Sequence, residues 1–232
     1  MAEKIKYTRK DLKGPDEFIS GFSRAVSWGK DNALKIGLVA AVVVLVLAAA
    51  LGGQAYYRWK ETKATRDLWP HLNRAREFME APTAADAEKL ERLEQFLASY
   101  IGIHPQAKAT VFARYYLGSI AYLRGNYGLS ATQFQAALAR GDDKGLMSFL
   151  LRHGFAQALE ARGDAAAAMN AYRDAAGVST SELRAVALEG EARMLASMGK
   201  KQEAAALYRS ILAENPETPM KALIQLRLQQ LT

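Results

Sequence analysis

The stretch Leu117-Gly-Ser-Ile-Ala-Tyr-Leu-Arg-Gly-Asn-Tyr-Gly-Leu-Ser-Ala-Thr-Gln-Phe-Gln-Ala-Ala-Leu138 contains the signal that sets the fold. A helical run ends at the turn Arg124-Gly125-Asn126-Tyr127, and a second run with small and aromatic residues follows it. Two further glycine turns, at Gly163 and Gly199, come after spacings of 38 and 36 residues. A repeat of this length is typical of helical hairpins that each bury a face against the next. The sequence therefore predicts an all-α chain of stacked helix pairs.

Small and aromatic residues recur at matching positions in the three pairs. The first pair has Leu117 and Gly118 in its first helix, and Phe134 and Ala137 in its second. The matching residues of the later pairs are Ala156, Ala168, Tyr172 and Ala175, and then Ala192, Ala204, Tyr208 and Pro216. This pattern resembles the tetratricopeptide repeat, and the resemblance implies a tetratricopeptide-like α-solenoid with three repeats over residues 111–218. Small residues let the helices cross closely, while aromatic side chains fill the space between successive pairs.

Helical segments also flank the three repeats. Residues 58–110 are predicted to form a helical linker and a degenerate half repeat, with an amphipathic helix over Ala87–Ile101. Pro70 marks either a kink in the preceding helix or a helix start. Residues 219–232 are predicted to form a capping helix that covers the last repeat. Its expected apolar face comprises Ala222, Leu223, Leu226 and Leu231.

Residues 36–57 contain no charged side chain. As an α-helix, these 22 residues span about 33 Å, which matches a hydrocarbon core of about 30 Å. Trp28 precedes the run, and Tyr57 and Trp59 lie at its other end, as expected of interfacial aromatic rings. The run therefore predicts one N-proximal transmembrane helix. A cleaved signal peptide is the alternative, but both the leader and the apolar run exceed the usual lengths of such peptides.

The leader, residues 1–35, carries eight Lys/Arg and five Asp/Glu. Basic residues just beyond the apolar run, from Arg58 to Arg66, nearly balance those just before it. Counting the whole leader favours a cytoplasmic N-terminus and a C-terminal domain outside the cytoplasm, with a cytoplasmic repeat domain as the alternative. Phe18, Phe22 and Val26 predict a short amphipathic helix in the leader that can lie on lipid headgroups. A disordered tail is the alternative there.

Charge and composition exclude several function classes. Residues 81–232 carry seventeen basic and fifteen acidic side chains, so they lack the basic stripe that nucleic-acid binding needs. The absence of Cys excludes a disulfide framework or a thiolate zinc site. His71, His104 and His153 are isolated in sequence, and no phosphate loop or nucleophile motif occurs. The sequence predicts a non-enzymatic protein with no cofactor, no metal and no small-molecule substrate.

The candidate binding residues follow from the repeat pattern, because the first helix of each pair lines the inner surface of such solenoids. The usual inward positions select Tyr115, Ser119, Tyr122, His153, Gln157, Glu160, Glu189 and Arg193. Aromatic rings mixed with polar groups suit a protein or peptide partner. Packing within the domain is the alternative role for inward apolar residues such as Phe112 and Leu123.

The order of leader, anchor and repeat domain resembles the YfgM-like ancillary subunit family of the bacterial SecYEG translocon. Gly53, Tyr57 and Trp59 at the exit of the anchor, and Met220-Lys221 before the last helix, match this family locally. The resemblance implies a bacterial inner-membrane protein with a periplasmic repeat domain. Its partners would be translocon components, a membrane-anchored prolyl isomerase-like periplasmic chaperone or unfolded client segments. A general envelope scaffold, for cell division or outer-membrane assembly, is the alternative function.

Overall fold

The computed structural model describes residues 17–80, 87–140 and 145–231. It divides into two compact units with a boundary between Trp59 and Lys60, and the two are described separately. The regular structure of the described residues is entirely helical, which confirms the predicted all-α class. Residues 1–16 of the predicted leader lie outside the described part of the chain. The helices are α1 (Glu17–Asp31), α2 (Ala33–Glu80), α3 (Ala87–Ile103), α4 (Thr110–Leu123), α5 (Tyr127–Leu138), α6 (Leu146–Ala161), α7 (Ala165–Gly177), α8 (Ser181–Ser197), α9 (Lys201–Glu214) and α10 (Lys221–Leu231).

The first unit contains α1 and the apolar part of α2. Only Asn32 separates the two helices, and its backbone continues the helical hydrogen-bond pattern. Its N–H donates to the Trp28 carbonyl at 3.0 Å, and its own carbonyl accepts from Ile36 at 2.9 Å. Every large apolar side chain from Leu34 to Leu51 is exposed, the least being Ile36 at 43 %. This part of α2 is long and apolar enough to cross a membrane.

In the second unit, the end of α2 pairs with α3. Leu68 and Ala75 of α2 are almost fully buried and pack in one cluster with Leu97 and Tyr100 of α3. The Tyr100 hydroxyl also donates a hydrogen bond of 2.9 Å to the Ala64 carbonyl. The helix α3 therefore packs on the end of α2. Neither a start nor an end of α2 falls at Pro70, which lies inside the helix.

Three further helix pairs follow, α4 with α5, α6 with α7 and α8 with α9. Their turns contain Gly125, Gly163 and Gly199, whose φ angles are +76°, +84° and +79°. This left-handed conformation suits glycine, because a Cβ atom would be strained there. The next residue in the first two turns caps the following helix, since Asn126 accepts from Leu129 N–H and Asp164 accepts from Ala167 N–H. The aligned glycines predicted from sequence thus close equivalent hairpins.

Aromatic side chains of one pair pack against glycines in the first helix of the next. A Cβ atom at Gly154 would approach the Phe134 ring to 2.7 Å, and one at Gly190 would approach the Tyr172 ring to 2.6 Å. These glycines are 36 residues apart, as are the turns at Gly163 and Gly199. Contact of this closeness leaves no room for even a methyl group. The sequence reasoning selected Ala156 and Ala192, which are indeed fully buried, but overlooked the two glycines.

Two residues that depart from the tetratricopeptide pattern have different environments. Ser130, in the usual alanine position, is fully buried, which a side chain one atom larger than alanine allows. Glu191, in a usual leucine position, is 6 % exposed and accepts a hydrogen bond of 2.8 Å from Arg173 Nε. The second guanidinium nitrogen, Nη2, lies 2.6 Å from the same carboxylate oxygen. The buried carboxylate is therefore compensated by an arginine from the preceding pair.

The capping helix α10 turns a different face to the core than the sequence predicted. Ile224 is fully buried, and Met220, Leu228 and Leu231 pack with it against the last pair. In contrast, Leu223 and Leu226 are 41 % and 51 % exposed. The predicted face of Ala222, Leu223 and Leu226 is therefore wrong, and only Leu231 belongs to the buried side. Two apolar stripes are available on this helix, and packing against α9 selects one of them.

Candidate functional site

A groove between α4 and α6 collects five of the eight predicted residues. They are Tyr115, Ser119, Tyr122, His153 and Gln157, and the remaining lining residues are Met79, Leu123, Phe134, Leu150 and Gly154. The cavity has a volume of about 250 Å³. Its walls are mainly aromatic and aliphatic, with a few polar groups between them. That is the composition expected of a site for a short peptide segment.

Helix geometry explains why these residues converge. Tyr115, Ser119 and Tyr122 are four and three residues apart on α4, so they share one face of the helix. His153 and Gln157 share a face of α6 in the same way. Since α4 and α6 are the first helices of adjacent pairs, their inner faces meet at the groove. The helix period places residues of one helix on a common face, and the repeat period places two such faces side by side. Together they bring residues nearly 40 positions apart to one surface.

The aromatic walls of the groove are held by neighbouring rings. The Tyr115 ring centroid lies 6.1 Å from that of Phe134, and the Tyr122 centroid lies 5.3 Å from that of Tyr127. The Ser119 hydroxyl donates to the Tyr115 carbonyl at 2.9 Å. Burial raises the pKa of both Tyr115 and Tyr122. Both phenols are therefore neutral at physiological pH and keep an O–H that can donate to a partner.

His153 lies deeper in the same surface, between two aromatic rings. Its centroid is 5.3 Å from Phe149 in a stacked arrangement and 5.5 Å from Tyr172 in an edge-on arrangement. Burial and the charge of Arg193 lower its pKa, although Glu160 acts in the opposite direction. The imidazole is thus uncharged at neutral pH, with one nitrogen able to donate and one able to accept.

The other three predicted residues form an ionic network between the second and third repeats. Arg193 donates from Nε to one Glu160 oxygen and from Nη2 to the other, both at 2.8 Å. Its Nη1 contacts Glu189 at 2.5 Å. The Tyr172 hydroxyl donates to Glu160 at 2.6 Å. We call Glu160, Tyr172, Glu189 and Arg193 the inter-repeat network.

The members of the inter-repeat network differ in access to a partner. Side-chain exposure is 31 % for Arg193 and 27 % for Glu160, but only 6 % for Glu189. Glu189 is therefore buried beneath Arg193 and is not accessible to a partner at the surface. Burial acts to raise the Glu160 pKa, but hydrogen bonds from Arg193 and Tyr172 outweigh it, so this pKa lies below the ordinary value. Glu160 therefore stays ionised at neutral pH and forms an ion pair with Arg193.

Several residues of this surface were missed by sequence reasoning. Met79, near the end of α2, and Phe134, on α5, also line the groove, although neither occupies an inward position of the repeat pattern. Gly154 gives the groove its depth, because it has no side chain over the Phe134 ring. The sequence signal that could have identified Gly154 is the 36-residue spacing of Gly118, Gly154 and Gly190. Gly118 and Gly154 both contact the Phe134 ring. Among the described residues, no group of three or more His, Asp or Glu side chains could hold a metal ion.

Comparison with known proteins gives a likeness of structure only. No protein-family profile matches the chain, and no curated protein matches it in sequence. A similar solved structure is described as the crystal structure of YrrB, a TPR protein with an unusual peptide-binding site. The two chains are 18 % identical with a TM-score of 0.49, over 67 % of this chain and 75 % of the other.

Proposed function

We propose that this protein is a membrane-anchored module for protein binding, and that it acts as an ancillary subunit of the bacterial SecYEG translocon. In this role it holds segments of secreted proteins or of a periplasmic chaperone close to the exit of the channel. The convergence of Tyr115, Ser119, Tyr122, His153 and Gln157 in one groove carries the proposal. The translocon assignment itself rests on the resemblance of the whole chain to the YfgM-like family.

The chemistry of the groove favours a peptide over a small metabolite. Aromatic walls supply apolar contact area at a low cost in side-chain entropy, because tyrosine has few rotatable bonds. Neutral hydroxyl, imidazole and amide groups along the groove can pair with the backbone of an extended segment. No residue lining the groove carries a charge at neutral pH. A client with a large apolar side chain and no acid or base at its centre therefore suits it.

The exposed apolar part of α2 supports the anchor. A soluble helix would expose this surface to water at a cost of about 25 cal/mol per Å², whereas a bilayer removes that cost. We propose that residues 36–57 span the inner membrane, with the N-terminus in the cytoplasm and the repeats in the periplasm. A fusion of alkaline phosphatase after the last residue should be active in cells. Fluorescence from a cytoplasm-only reporter at the same position would instead favour cytoplasmic repeats.

Site-specific photocrosslinking tests the partner. A photoreactive phenylalanine analogue replaces Tyr115 or Tyr122 in the full chain, and captured proteins are identified by mass spectrometry. The same analogue at Gln135, an exposed position on α5, is the matched control. Capture of a translocon subunit or a membrane-anchored chaperone from the groove, but not from Gln135, is the expected result. Capture of division or outer-membrane assembly proteins alone would replace the translocon role with that of an envelope scaffold.

A further inference from the structure

A second and larger cavity lies at the C-terminal end of the repeats. It has a volume of about 620 Å³ and lies between the start of α8 and the connection from α9 to α10. Leu183 and Val186 form its wall on α8, while Pro216, Pro219 and Met220 form the wall on the connection. None of its lining residues belongs to the groove between α4 and α6. We call this cavity the terminal cleft. A volume of this size accommodates a large side chain together with flanking peptide.

The connection that forms one wall is held in shape before any partner arrives. Pro216 and Pro219 fix their own φ angles. Two successive turns brace the segment, since Thr218 N–H donates to the Asn215 carbonyl at 3.1 Å and Lys221 N–H to the Thr218 carbonyl at 3.0 Å. A preformed wall reduces the ordering entropy that binding would otherwise cost. This wall of the terminal cleft is therefore preformed.

Every charged side chain that lines the terminal cleft is acidic. Glu182, Glu214 and Glu217 line it, and no lysine or arginine does. Neighbouring bases neutralise two of these acids only weakly, because Arg184 lies 4.0 Å from Glu214 and Lys221 lies 3.9 Å from Glu217. The Glu217 side chain is 94 % exposed. Exposed pairs at such distances contribute little, so the carboxylates remain available to an incoming cation.

We propose that the terminal cleft binds a segment of a partner protein in which a large aliphatic or aromatic side chain is flanked by lysine or arginine. The apolar side chain enters between Leu183, Val186 and Met220, where it leaves water. The flanking cations then lie against the rim carboxylates, which would repel an acidic segment. This site is distinct from the groove, so its occupation is independent of the translocon assignment.

Nuclear magnetic resonance of the methionine methyl groups can test the proposal in the full chain. The protein is reconstituted in phosphatidylcholine nanodiscs, whose zwitterionic surface does not attract basic peptides. Met220 lines the terminal cleft and Met79 lines the groove, so each reports on one site. The Met220 signal is assigned with Met220→Leu. The probe is the capped pentapeptide Gly-Lys-Leu-Lys-Gly, and its controls replace Leu by Ser or both Lys by Glu.

The expected result is a saturable shift of the Met220 signal with the Lys-Leu-Lys peptide and no shift of Met79. The Ser and Glu control peptides should bind at least about tenfold more weakly. Reversing two carboxylates, with Glu182→Lys and Glu217→Lys, should transfer the preference to the Glu-Leu-Glu peptide. Glu203→Lys, at the opposite end of α9 from the cleft, is the matched control and should leave the preference unchanged.

Four results would overturn the proposal. The first is no Met220 shift up to about 1 mM peptide, the limit of weak binding. The second is an equal response to the Lys and Glu peptides, since charge would then play no part. The third is a shift of Met79 alone, which would assign the peptide to the groove. The fourth is a Met220 signal that changes on protein dilution without peptide, which would make a second copy of this chain the occupant.

Discussion

Two parts of helix α2 contrast in how they use apolar residues. In residues 36–57 the apolar side chains follow one another around the whole helix and are exposed. Farther along, Ala64, Leu68, Leu72 and Ala75 recur every three or four residues and are buried against the next helices. A continuous apolar surface requires an apolar surrounding on all sides, whereas a periodic stripe needs only one neighbour. The arrangement of apolar residues, more than their number, therefore distinguishes the exposed run of residues 36–57 from the part of α2 that packs in the second unit.

The largest effect expected from this contrast is on the stability of the second unit. Leu68→Ala should lower its free energy of unfolding by about 3–4 kcal/mol, because Leu68 is 1 % exposed and its removal leaves a cavity. Leu45→Ala, in the exposed run at 69 %, should leave that energy unchanged. Urea unfolding of the full protein in nanodiscs, followed by tyrosine fluorescence, measures both. An equal decrease in the free energy of unfolding for Leu68→Ala and Leu45→Ala would contradict this contrast between the two parts of α2.

A charge at the centre of the apolar run should affect membrane insertion instead. Val46→Arg should disfavour insertion by about 3 kcal/mol, because an arginine there must leave water or distort the bilayer. The unfolding energy of the repeats should not change. Alkaline extraction of isolated membranes measures the embedded fraction, with Val46→Leu as control. Full retention of the arginine variant at wild-type levels would count against a spanning segment.

Glycines sharpen the contrast at a smaller scale. Gly154→Ala should destabilise the second unit by about 2 kcal/mol, because the added methyl would meet the Phe134 ring at 2.7 Å in a packed interior. Gly37→Ala, in the exposed run, has no neighbouring atom within 4 Å and should change stability by less than about 1 kcal/mol. Thermal unfolding of the two variants in the same nanodiscs makes the comparison. A tolerated Gly154→Ala would mean that the aromatic contact is loose.

The smallest expected effect is a dependence on pH. The folded-state pKa of Glu160 is lower than its ordinary value of 4.5, so the unfolded chain binds more protons in acid. Its contribution is complete above that ordinary value and is lost as the pH falls through the folded pKa. For a partly exposed group, we expect about 1 kcal/mol. Residues 36–57 contain no acid or histidine, so membrane retention should be constant over this range.

The pH effect is isolated by comparing wild type with Glu160→Gln. Urea unfolding at a series of pH values should give a smaller acid-dependent loss in the variant. Glu203→Gln, which removes an exposed carboxylate on α9, controls for the loss of charge alone. Identical pH profiles for wild type and Glu160→Gln would show that the inter-repeat network does not stabilise the fold.

Most of the helical framework could be predicted from the sequence, because the information is local. A glycine at each hairpin, followed by Asn126 or Asp164, marks where one helix ends and the next begins. The inward face of α4 also follows from helix period alone, and Tyr115 and Tyr122 do share the groove. The buried face of α10 was predicted wrongly, because this helix carries two apolar stripes and nothing local distinguishes Ile224 from Leu223.

Which of the predicted binding residues are accessible to a partner could not be predicted from local sequence. Arg193 and Glu160 lie 33 residues apart in the chain, and only the stacking of repeats brings them into contact. Glu189 has an inward position, yet Arg193 covers it. That these residues bind a partner remains a prediction, supported most directly for the five residues that line the groove.

Local signals in the sequence predicted the all-α class, the glycine turns between helices and the uncharged run of 36–57, since backbone conformation and side-chain polarity act over a few residues. Only the packing of the helices determines which side chains at inward positions are exposed, which carboxylates pair with an arginine and which face of α10 is buried. Those outcomes depend on contacts between helices far apart in the chain. These contacts stabilise the protein only after the helix pairs have packed against one another.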